Sequence, residues 1–465
     1  MKKHSKRIWI CVGILIAIIV ASMLFLLPHT TKIFKDFKRI ETEEYDTLFL
    51  SMYPIDYYED SDFMLYRGMD VLSSDYCIPN GKILKWYLSK VKDSNHMVGR
   101  AYVIVDPEHA SKEDIVMMIQ ENPDTFFEVA LPYPQIDYWL NMKEDKFEKV
   151  MEQYQSFTEW IVPLENAALY MFGNQEWLVG NPKNYADMFN TNAEVSEFLL
   201  CNMDEGHSYQ VTFDNLQEEM AEYHRIYKEC QNRQYPDASG VEILFFGDSI
   251  IGNFTDSMSI PQVVAGHTNA TVYNFGCGGS SAAASPSEIV DFSTVADAFL
   301  QKDISKIPQD SPNYEKIKGY FSEVKEDAPK MFVVNYGMND YFLALPLKSE
   351  DPYDITTYGG ALRTNVKKLK DAYPDSQIVL LTPHFTSELD FGRGKVGDGG
   401  YALKDYAEMV VTVAQELDVD VLDNFKELGI TEANWREYQP DGTHPNEKGR
   451  YLLGTRIAEK IKCDK

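Results

Sequence analysis

The sequence lacks the cysteine patterns that hold small or metal-binding folds together. Six cysteines occur in 465 residues, with no Cys-x-x-Cys pair and no Cys/His cluster of zinc-type spacing. They are Cys11, Cys77, Cys201, Cys230, Cys277 and Cys463. Cys11 lies in an apolar N-terminal segment, and the remaining odd number cannot all pair within one chain. Neither structural zinc nor a disulfide scaffold is therefore expected as the basis of the fold, although a single bridge stays open.

Positive charge is also scarce. Lys and Arg number 44 against 72 Asp and Glu, which gives a formal net charge of −28. This balance argues against broad binding to DNA, RNA or anionic lipid, because an acidic surface repels their phosphates. Apolar residues make up 44% of the chain, which is enough for a large core. At roughly 150 residues per domain, the length suggests two or three domains, and we take two as the working number.

One stretch near the N-terminus is long and apolar enough to cross a membrane. Ile8–Leu27 contains no charged residue, and as a helix it spans a hydrocarbon core of about 30 Å. Four cations precede it within residues 2–7, and they are expected to stay in the cytoplasm. We therefore interpret 1–28 as a signal anchor, with the rest of the chain outside the cytoplasm. A cleaved signal peptide is the alternative, but its apolar region is usually shorter and ends in a small-x-small site.

The composition divides the remaining chain further. Residues 29–44 are polar and are interpreted as a stalk, and 231–240 are interpreted as a linker. Between them, 45–230 alternates β-rich runs with helical patterns, which predicts an α/β module without an assigned role. The β-rich runs are Ala101–Val105, Phe126–Leu131 and Ala167–Met171. Ser111, with Asp114 three residues later, marks a helix start. We detect no internal repeat in the sequence.

Residues 241–465 show a different pattern, in which short apolar runs are separated by helical patterns. This pattern predicts a mostly parallel sheet of five strands, covered by helices on both faces. The predicted strands are Val241–Phe246, Thr271–Phe275, Met331–Tyr336, Gln377–Thr382 and Val419–Asp423. Ligands of such sheets bind beyond the carboxyl ends of the strands. The residues that follow each strand are therefore the candidates for chemistry.

Polar and glycine residues follow the first two predicted strands. Gly247-Asp248-Ser249 comes directly after the first, where a serine hydroxyl at the sheet edge could attack a carbonyl group. The segment from Asn274 to Ser280 follows the second and is rich in glycine, so its backbone N–H groups can approach a ligand closely. A phosphate cradle is the rival interpretation of this turn, but the Lys-Ser/Thr ending of a P-loop is missing.

Two further motifs follow later. The third strand leads into Gly-Met-Asn339-Asp, in which the Asn339 amide is a neutral donor suited to an oxyanion. Near the C-terminus, Asp441 and His444 stand three residues apart, ahead of a helical pattern. This spacing can place a carboxylate and an imidazole on one side of a single turn. His444 could then take the Ser249 proton while Asp441 holds the other ring nitrogen.

With these motifs in this order, 241–465 resembles the SGNH hydrolases, also called GDSL esterases or lipases. The resemblance implies a compact flavodoxin-like α/β/α domain. It also implies two-step acyl transfer that needs no metal or organic cofactor. Ser249 would be the nucleophile, His444 the base, and Asp441 the acid that completes the triad.

The resemblance further implies an oxyanion hole with three donors. These would be the N–H of Ser249, the N–H of Gly279 and the side-chain amide of Asn339. Gly279 is chosen because it stands five residues after Asn274, as the family pattern requires. Gly276 and Gly278 are the alternatives for this glycine.

Other residues could serve the same site. His384 also follows a strand and could line the pocket or act as the base, but His444 is preferred because only His444 has an acid three residues before it. Tyr341 and Trp435 could form part of an aromatic wall against a sugar ring or an acyl chain. The glycine-rich loop 385–400 could be a flap over the site.

The sequence thus predicts a serine esterase that is anchored in the membrane and works outside the cytoplasm. Its expected substrate is an acyl ester, above all an O-acetyl ester on a cell-surface glycan, and no nucleic-acid partner is expected. An acyltransferase, a lipase or a lysophospholipase using the same site is the first alternative. A non-catalytic protein that binds a surface polymer is the second.

Overall fold

A computed structural model describes the chain over residues 32–52, 71–73, 78, 80–94, 98–205, 209–285, 290–309, 313–388 and 400–462. The predicted anchor, Ile8–Leu27, lies outside these residues. In the part that is described, no helix is both long enough and apolar enough to cross a membrane. The chain forms two compact units. The first holds the residues before Gly180 together with Tyr185–Gln231, and the second holds Gly180–Asn184 and the residues from Asn232 onward.

Part of the predicted stalk is instead an integral helix of the first unit. Residues 32–42 are helical, and Phe37 and Ile40 are buried on one side of this helix. The Phe37 ring contacts the rings of Trp86 and Tyr87 edge-on, with centroid distances of 4.7 and 5.1 Å. The prediction of a stalk over 29–44 is therefore wrong for 32–42. The segment is mostly polar, so its composition does not indicate a helix, although a few apolar side chains stand at helical spacing.

The first unit is an α/β unit, as predicted. Its strands are β1 Thr47–Ser51, β2 Val71–Ser73, β3 Arg100–Ile104, β4 Phe126–Ala130, β5 Ala167–Tyr170 and β6 Gln210–Val211. Its helices are α1 32–42, α2 Gly81–Asp93, α3 Lys112–Glu121, α4 Ile136–Leu140, α5 Glu144–Ile161, α6 Glu176–Val179, α7 Ala193–Glu205 and α8 Leu216–Asn232. The strands form one sheet in the order β2-β1-β3-β4-β5-β6. All neighbours are parallel except β5 and β6. The predicted helix start is present, because Ser111 Oγ accepts a hydrogen bond from Asp114 N at 3.1 Å.

The second unit contains the five predicted strands. They are β7 Glu242–Gly247, β8 Thr271–Asn274, β9 Lys330–Asn335, β10 Gln377–Leu381 and β11 Asp420–Leu422. Its helices are α9 Ser249–Gly252, α10 Ile260–Thr268, α11 Phe292–Gln301, α12 Tyr314–Glu323, α13 Met338–Phe342, α14 Tyr358–Ala372, α15 Leu403–Leu417, α16 Asn424–Glu427 and α17 Glu447–Lys460. The sheet is parallel throughout, in the order β8-β7-β9-β10-β11. Numbered along the chain this order is 2-1-3-4-5, which is that of flavodoxin-like folds.

Successive strand residues of the second unit face two separate cores. Leu244 and Phe332 belong to one buried cluster together with side chains of α11, α14 and α15. Their neighbours Ile243 and Val333 belong to the other, with side chains of α10 and α17. The sheet is therefore the middle of three layers, which explains why its strands are apolar without alternation. Burial of each such side chain stabilises the fold by about 1.5–3 kcal/mol.

Candidate active site

The site begins where β7 ends. A Cβ atom on Gly247 would lie 2.7 Å from Asn335 O, so only glycine fits between β7 and its neighbour β9. Asp248 is buried and its carboxylate accepts a hydrogen bond from Ile250 N at 3.0 Å, which caps α9. Ser249 is the first residue of α9 and is partly exposed. The turn thus presents the Ser249 hydroxyl at the carboxyl edge of the sheet.

Ser249 lies beside the predicted base and acid, although 195 residues separate it from His444. Ser249 Oγ is 2.9 Å from His444 Nε2, and His444 Nδ1 is 2.6 Å from Asp441 Oδ2. With the proton of the ring on Nδ1, the imidazole donates to the carboxylate and accepts from the serine hydroxyl. In this arrangement a histidine can remove the serine proton, and the resulting imidazolium is stabilised by the acid.

The Asp441 carboxylate is held in its ionised form by its own turn. Its Oδ1 accepts hydrogen bonds from Thr443 N at 2.9 Å and His444 N at 2.7 Å. Burial opposes ionisation, but these bonds and the His444 ring outweigh it and lower the pKa of Asp441. Gly442 makes the turn possible, because its φ is +83° and a Cβ atom there would overlap Ser387 Oγ. The carboxylate is therefore both charged and fixed in orientation.

The glycine turn after β8 is held against α9. The Asn274 side chain donates to Ile251 O at 2.8 Å and accepts from Gly276 N at 3.0 Å. Gly276 touches the backbone of α9 so closely that a Cβ atom on Gly252 would lie 2.6 Å from the Gly276 carbonyl carbon. Gly279 has a φ of +76° and open space at the position of a Cβ atom. Gly276 thus serves close packing, whereas Gly279 adjoins open space.

Asn339 and Asp340 hold the segment that follows Gly279. Asn339 Nδ2 donates to Ser280 O at 2.8 Å. The Asp340 carboxylate is fully buried and accepts from Ala282 N at 2.8 Å and from Ala283 N at 2.9 Å. The sequence alone does not indicate a role for Asp340. Its only signal was its place in the motif, because an acid at the start of a helix is common.

Arg450 is another residue that the sequence analysis missed. It lies on α17 and is 5% exposed. Its guanidinium donates to Pro445 O at 3.1 Å, directly after His444, and to Met258 O at 3.1 Å. The same group covers the Phe254 ring, 4.0 Å from its centroid. Arg450 therefore links the turn that carries His444 to the loop that follows α9.

His384 is near the site but engaged elsewhere. It is 1% exposed, and its Nε2 is 3.1 Å from Thr443 O. Burial lowers the pKa of His384 to about 4. A neutral ring that donates from Nε2 to a backbone carbonyl supports the turn before His444. The alternative prediction that His384 is the base therefore does not fit this geometry.

The two predicted aromatic residues differ in their surroundings. Tyr341 is 2% exposed and packs edge-on against Tyr406 in the core, with a centroid distance of 6.0 Å. The prediction that it lines the substrate pocket is thus wrong for the side chain as placed. Trp435 is partly buried and lies 3.6 Å from the position of a Cβ atom on Gly442. Trp435 is therefore beside the Asp441 turn, and its contact with a substrate stays a prediction.

The predicted flap 385–400 lies largely outside the described residues. Its first residues are tied to the Asp441 turn, because Ser387 N and Thr386 Oγ1 both donate to Gly442 O. Among the residues that the structure describes, no group of three or more His, Cys, Asp or Glu side chains is placed to hold a metal ion.

Two buried carboxyl groups lie behind the site. Burial raises the pKa of Asp248 to about 7, with a further contribution from Asp340. Burial likewise raises the pKa of Asp340 to about 7, against the backbone hydrogen bonds that it accepts. A carboxyl group with a folded pKa above its unfolded value of 3.8 stabilises the fold fully at low pH. That contribution is lost as the pH rises towards 7.

We therefore expect the second unit to become less stable between pH 4 and 7. Each of the two carboxyl groups should lower the free energy of unfolding by about 1.4 kcal/mol per pH unit in this window. Asp248→Asn removes one of them, so its midpoint of thermal unfolding should rise relative to the unmodified chain as the pH increases. Melting curves at several pH values measure this difference. A difference in unfolding midpoint that stays constant with pH would contradict the raised pKa of Asp248.

Part of the chain resembles known proteins. Residues 245–452 match the model of the GDSL-like Lipase/Acylhydrolase family. No curated protein matches the chain. Three of the solved structures that resemble it each match 47% of the chain. They are an aryl esterase of M. smegmatis (17% identity, 97% of that chain, TM-score 0.32), a carbohydrate acetylesterase of Sinorhizobium meliloti (16%, 97%, 0.30) and a lipase/acylhydrolase of Enterococcus faecalis (17%, 94%, 0.31).

Residues 245–452 therefore form a domain of the GDSL-like lipase/acylhydrolase family, the SGNH hydrolases. The protein is an enzyme that hydrolyses ester bonds.

Proposed function

We propose that the protein is a membrane-anchored serine esterase that works outside the cytoplasm and removes O-acetyl groups from a cell-surface glycan. The observation that carries the catalytic part is the continuous hydrogen-bonded chain from Ser249 through His444 to Asp441, with distances of 2.9 and 2.6 Å. A serine, a histidine and an acid in this sequence of contacts activate the hydroxyl for attack on an acyl carbon.

The reaction then proceeds in two steps. Ser249 Oγ attacks the ester carbonyl while His444 Nε2 takes its proton, and Asp441 stabilises the imidazolium. His444 returns the proton to the departing alcohol, which leaves an acyl group on Ser249. Water, activated by the same imidazole, attacks this acyl-enzyme, and acetate is released. Each step uses one proton that moves between His444 and a reacting oxygen.

We assign the oxyanion hole to Ser249 N, Gly279 N and Asn339 Nδ2. An amide nitrogen such as Asn339 Nδ2 carries two hydrogens, and one of them is bonded to Ser280 O. The other is assigned to the carbonyl oxygen as it becomes negative. Donors that are held in place before the reaction stabilise that charge without reorganising.

The proposed location rests on the sequence, and the proposed small acyl group rests on one feature of the site. The apolar segment Ile8–Leu27 with cations before it supports an anchor with the enzyme on the outer side. An enzyme on that side faces the polymers of the cell envelope. Tyr341, which could have held a long acyl chain, is buried in the core. This favours a small acyl group.

Acyl-chain profiling tests the choice of acetate. We expect kcat/KM for p-nitrophenyl acetate to exceed that for the octanoate by at least about tenfold, because each extra methylene needs apolar contact and the buried Tyr341 does not supply it. Release of acetate from an acetylated glycan should accompany this preference. A preference for long chains would contradict the acetyl-glycan proposal and favour a lipase. Transfer of the acetyl group to an added sugar, without free acetate, would favour an acyltransferase.

Asp340 should act on the reaction by positioning the oxyanion loop. Asp340→Asn presents an N–H group to one of the two backbone donors that the carboxylate now accepts from. The segment after Gly279 must then shift, and a displacement of this kind can lower catalysis by about 10²-fold. We expect the loss mainly in kcat, with KM nearly unchanged.

The matched control for this variant is Asp371→Asn. Asp371 is exposed on α14 and pairs with Lys367 at 2.8 Å, far along the chain from the motifs of the site. The Asp371→Asn variant should keep full activity. Equal kcat values for the two variants would show that the Asp340 contacts do not position the oxyanion hole.

A further inference from the structure

The first unit has the same strand order as the second, although the sequence shows no internal repeat. In the first unit, β1 to β5 are parallel and lie in the order β2-β1-β3-β4-β5. In the second, the order β8-β7-β9-β10-β11 is the same when the strands are numbered along each unit. The antiparallel β6 is an addition to the first unit.

Backbone hydrogen bonds at the carboxyl edge align the two sheets residue by residue. Ser51 pairs with Ile104 in the first unit as Gly247 pairs with Asn335 in the second. The next residue in each case donates to the neighbouring strand, with Met52 N at 2.8 Å from Ile104 O and Asp248 N at 3.3 Å from Asn335 O.

Two further bonds follow the same alignment. Ile78 N donates to Ser51 O at 2.8 Å, as Cys277 N donates to Gly247 O at 2.9 Å. Beyond the fourth strand, Leu131 N donates to Tyr170 O at 3.2 Å, and its counterpart in the second unit is the bond from Thr382 N to Leu422 O at 3.1 Å. The correspondence therefore extends across the whole edge at which the second unit carries its site.

The turn that holds the acid is also repeated. Asp187 Oδ1 accepts from Phe189 N at 2.7 Å and Asn190 N at 2.8 Å, and Asp187 Oδ2 accepts from Asn190 Nδ2 at 2.8 Å. Asp441 accepts from Thr443 N, His444 N and His444 Nδ1 in the same pattern. The only change of chemical kind is an amide in place of the imidazole.

The helix after each turn starts in the same way. An asparagine five residues beyond each acid accepts from the backbone N–H three residues later, at 3.0 Å in both cases. These bonds join Asn192 to Val195 N and Asn446 to Gly449 N. The two units therefore share both the hydrogen bonds around the acid and the cap of the helix that follows. A chance match of a single turn does not explain both.

Two of the remaining catalytic positions of the first unit hold unsuitable side chains. Asn190 cannot take up and return a proton near neutral pH, which the base must do. The alignment places Glu108 at the position of Asn339, where a carboxylate would repel an oxyanion.

We infer that the first unit is a second copy of the hydrolase fold, in which the acid turn is kept as structure and the base and the oxyanion donor have been replaced. The chain then carries one hydrolytic site, in the second unit, and the first unit does not cleave esters. The comparison uses the catalytic roles proposed above for the second unit.

Restoring the histidine in the full chain tests whether the two turns are equivalent. In Asn190→His the introduced imidazole should bond Asp187 as His444 bonds Asp441. Its pKa should then be about 1 pH unit higher than in the control Asp187→Asn/Asn190→His, because the carboxylate favours the charged ring. Titration of the ring signals by NMR measures both values. Equal values in the two variants would overturn the equivalence.

A second measurement tests the inactivity of the first unit without relying on that variant. The full chain with Ser249→Ala should keep at most about 10⁻⁴ of the kcat of the unmodified chain for p-nitrophenyl acetate, and adding Asn190→His should not raise it. Residual hydrolysis that disappears on Glu108→Gln would overturn the inference. If the unmodified chain hydrolyses no ester at all, the proposed function fails, while the titration still decides whether the turn is repeated.

Discussion

Ser249→Ala is expected to lower kcat for p-nitrophenyl acetate by about 10⁴–10⁶-fold, the range found when a serine nucleophile is removed from a triad. The physical reason is that the turn after β7 holds Ser249 Oγ 2.9 Å from His444 Nε2, and the variant removes this oxygen. KM should change little, because the loss concerns bond formation and not binding. Steady-state kinetics of the two chains measure this.

Ser322→Ala is the matched control for Ser249→Ala. Ser322 is exposed on α12 and its hydroxyl bonds only within its own helix, to Gly319 O at 2.8 Å. Both variants should unfold at the temperature of the unmodified chain. Hydrolysis by Ser249→Ala within tenfold of the control would assign the nucleophile to another residue.

His444→Ala is expected to lower kcat by about 10⁴-fold or more while the fold stays intact. The imidazole is the group that takes the Ser249 proton, and its removal leaves the hydroxyl without a base. Added imidazole should restore part of the activity, because the small ring can occupy the space between Ser249 and Asp441. A merely structural role of His444 would not give such rescue, so the dependence of kcat on imidazole concentration is the decisive readout.

His384→Ala separates the two histidines. The variant removes one of two donors to Thr443 O, which Gln439 Nε2 still bonds at 3.1 Å, so we expect a loss of stability of about 0.5–1.5 kcal/mol. Activity should persist at a reduced level, and imidazole should not restore it. Complete loss of activity in His384→Ala together with full activity in His444→Ala would transfer the role of the base to His384.

The fold of the second unit was predictable because its signals are local. Each strand is a short apolar run. Neighbouring residues such as Ile243 and Leu244 are both apolar because they face two different cores on opposite sides of the sheet. The positions of Ser249, Asn339 and His444 were predictable for a related reason. Each follows a secondary-structure boundary that the sequence marks with glycine, asparagine or proline.

The supports of the site were not predictable, because they join residues far apart in the chain. Asp340 bonds backbone atoms 57 and 58 residues away, and no spacing in the sequence encodes that contact. Tyr341 shows the same limit in the other direction. A tyrosine next to Asn339 reads equally well as a pocket wall or as core, and packing against α15 decides in favour of core.

The repeated fold of the first unit is not visible in the sequence, because the two units share backbone pairing and not side chains. Met52 and Asp248 occupy equivalent positions with unrelated side chains, and so do Ile104 and Asn335. Parallel sheets depend on apolar character and not on identity at each position, so two copies can diverge completely while strand order persists. Only the acid turn around Asp187 kept residues that could be recognised.

The most direct test of the central claim is labelling of the folded full chain with a fluorophosphonate probe, followed by mass spectrometry of its peptides. The account predicts one adduct per chain, on the peptide that contains Ser249, and loss of that adduct in Ser249→Ala and its near-complete loss in His444→Ala. An absence of labelling in folded chain that binds a glycan, or an adduct on a residue of the first unit, would contradict it.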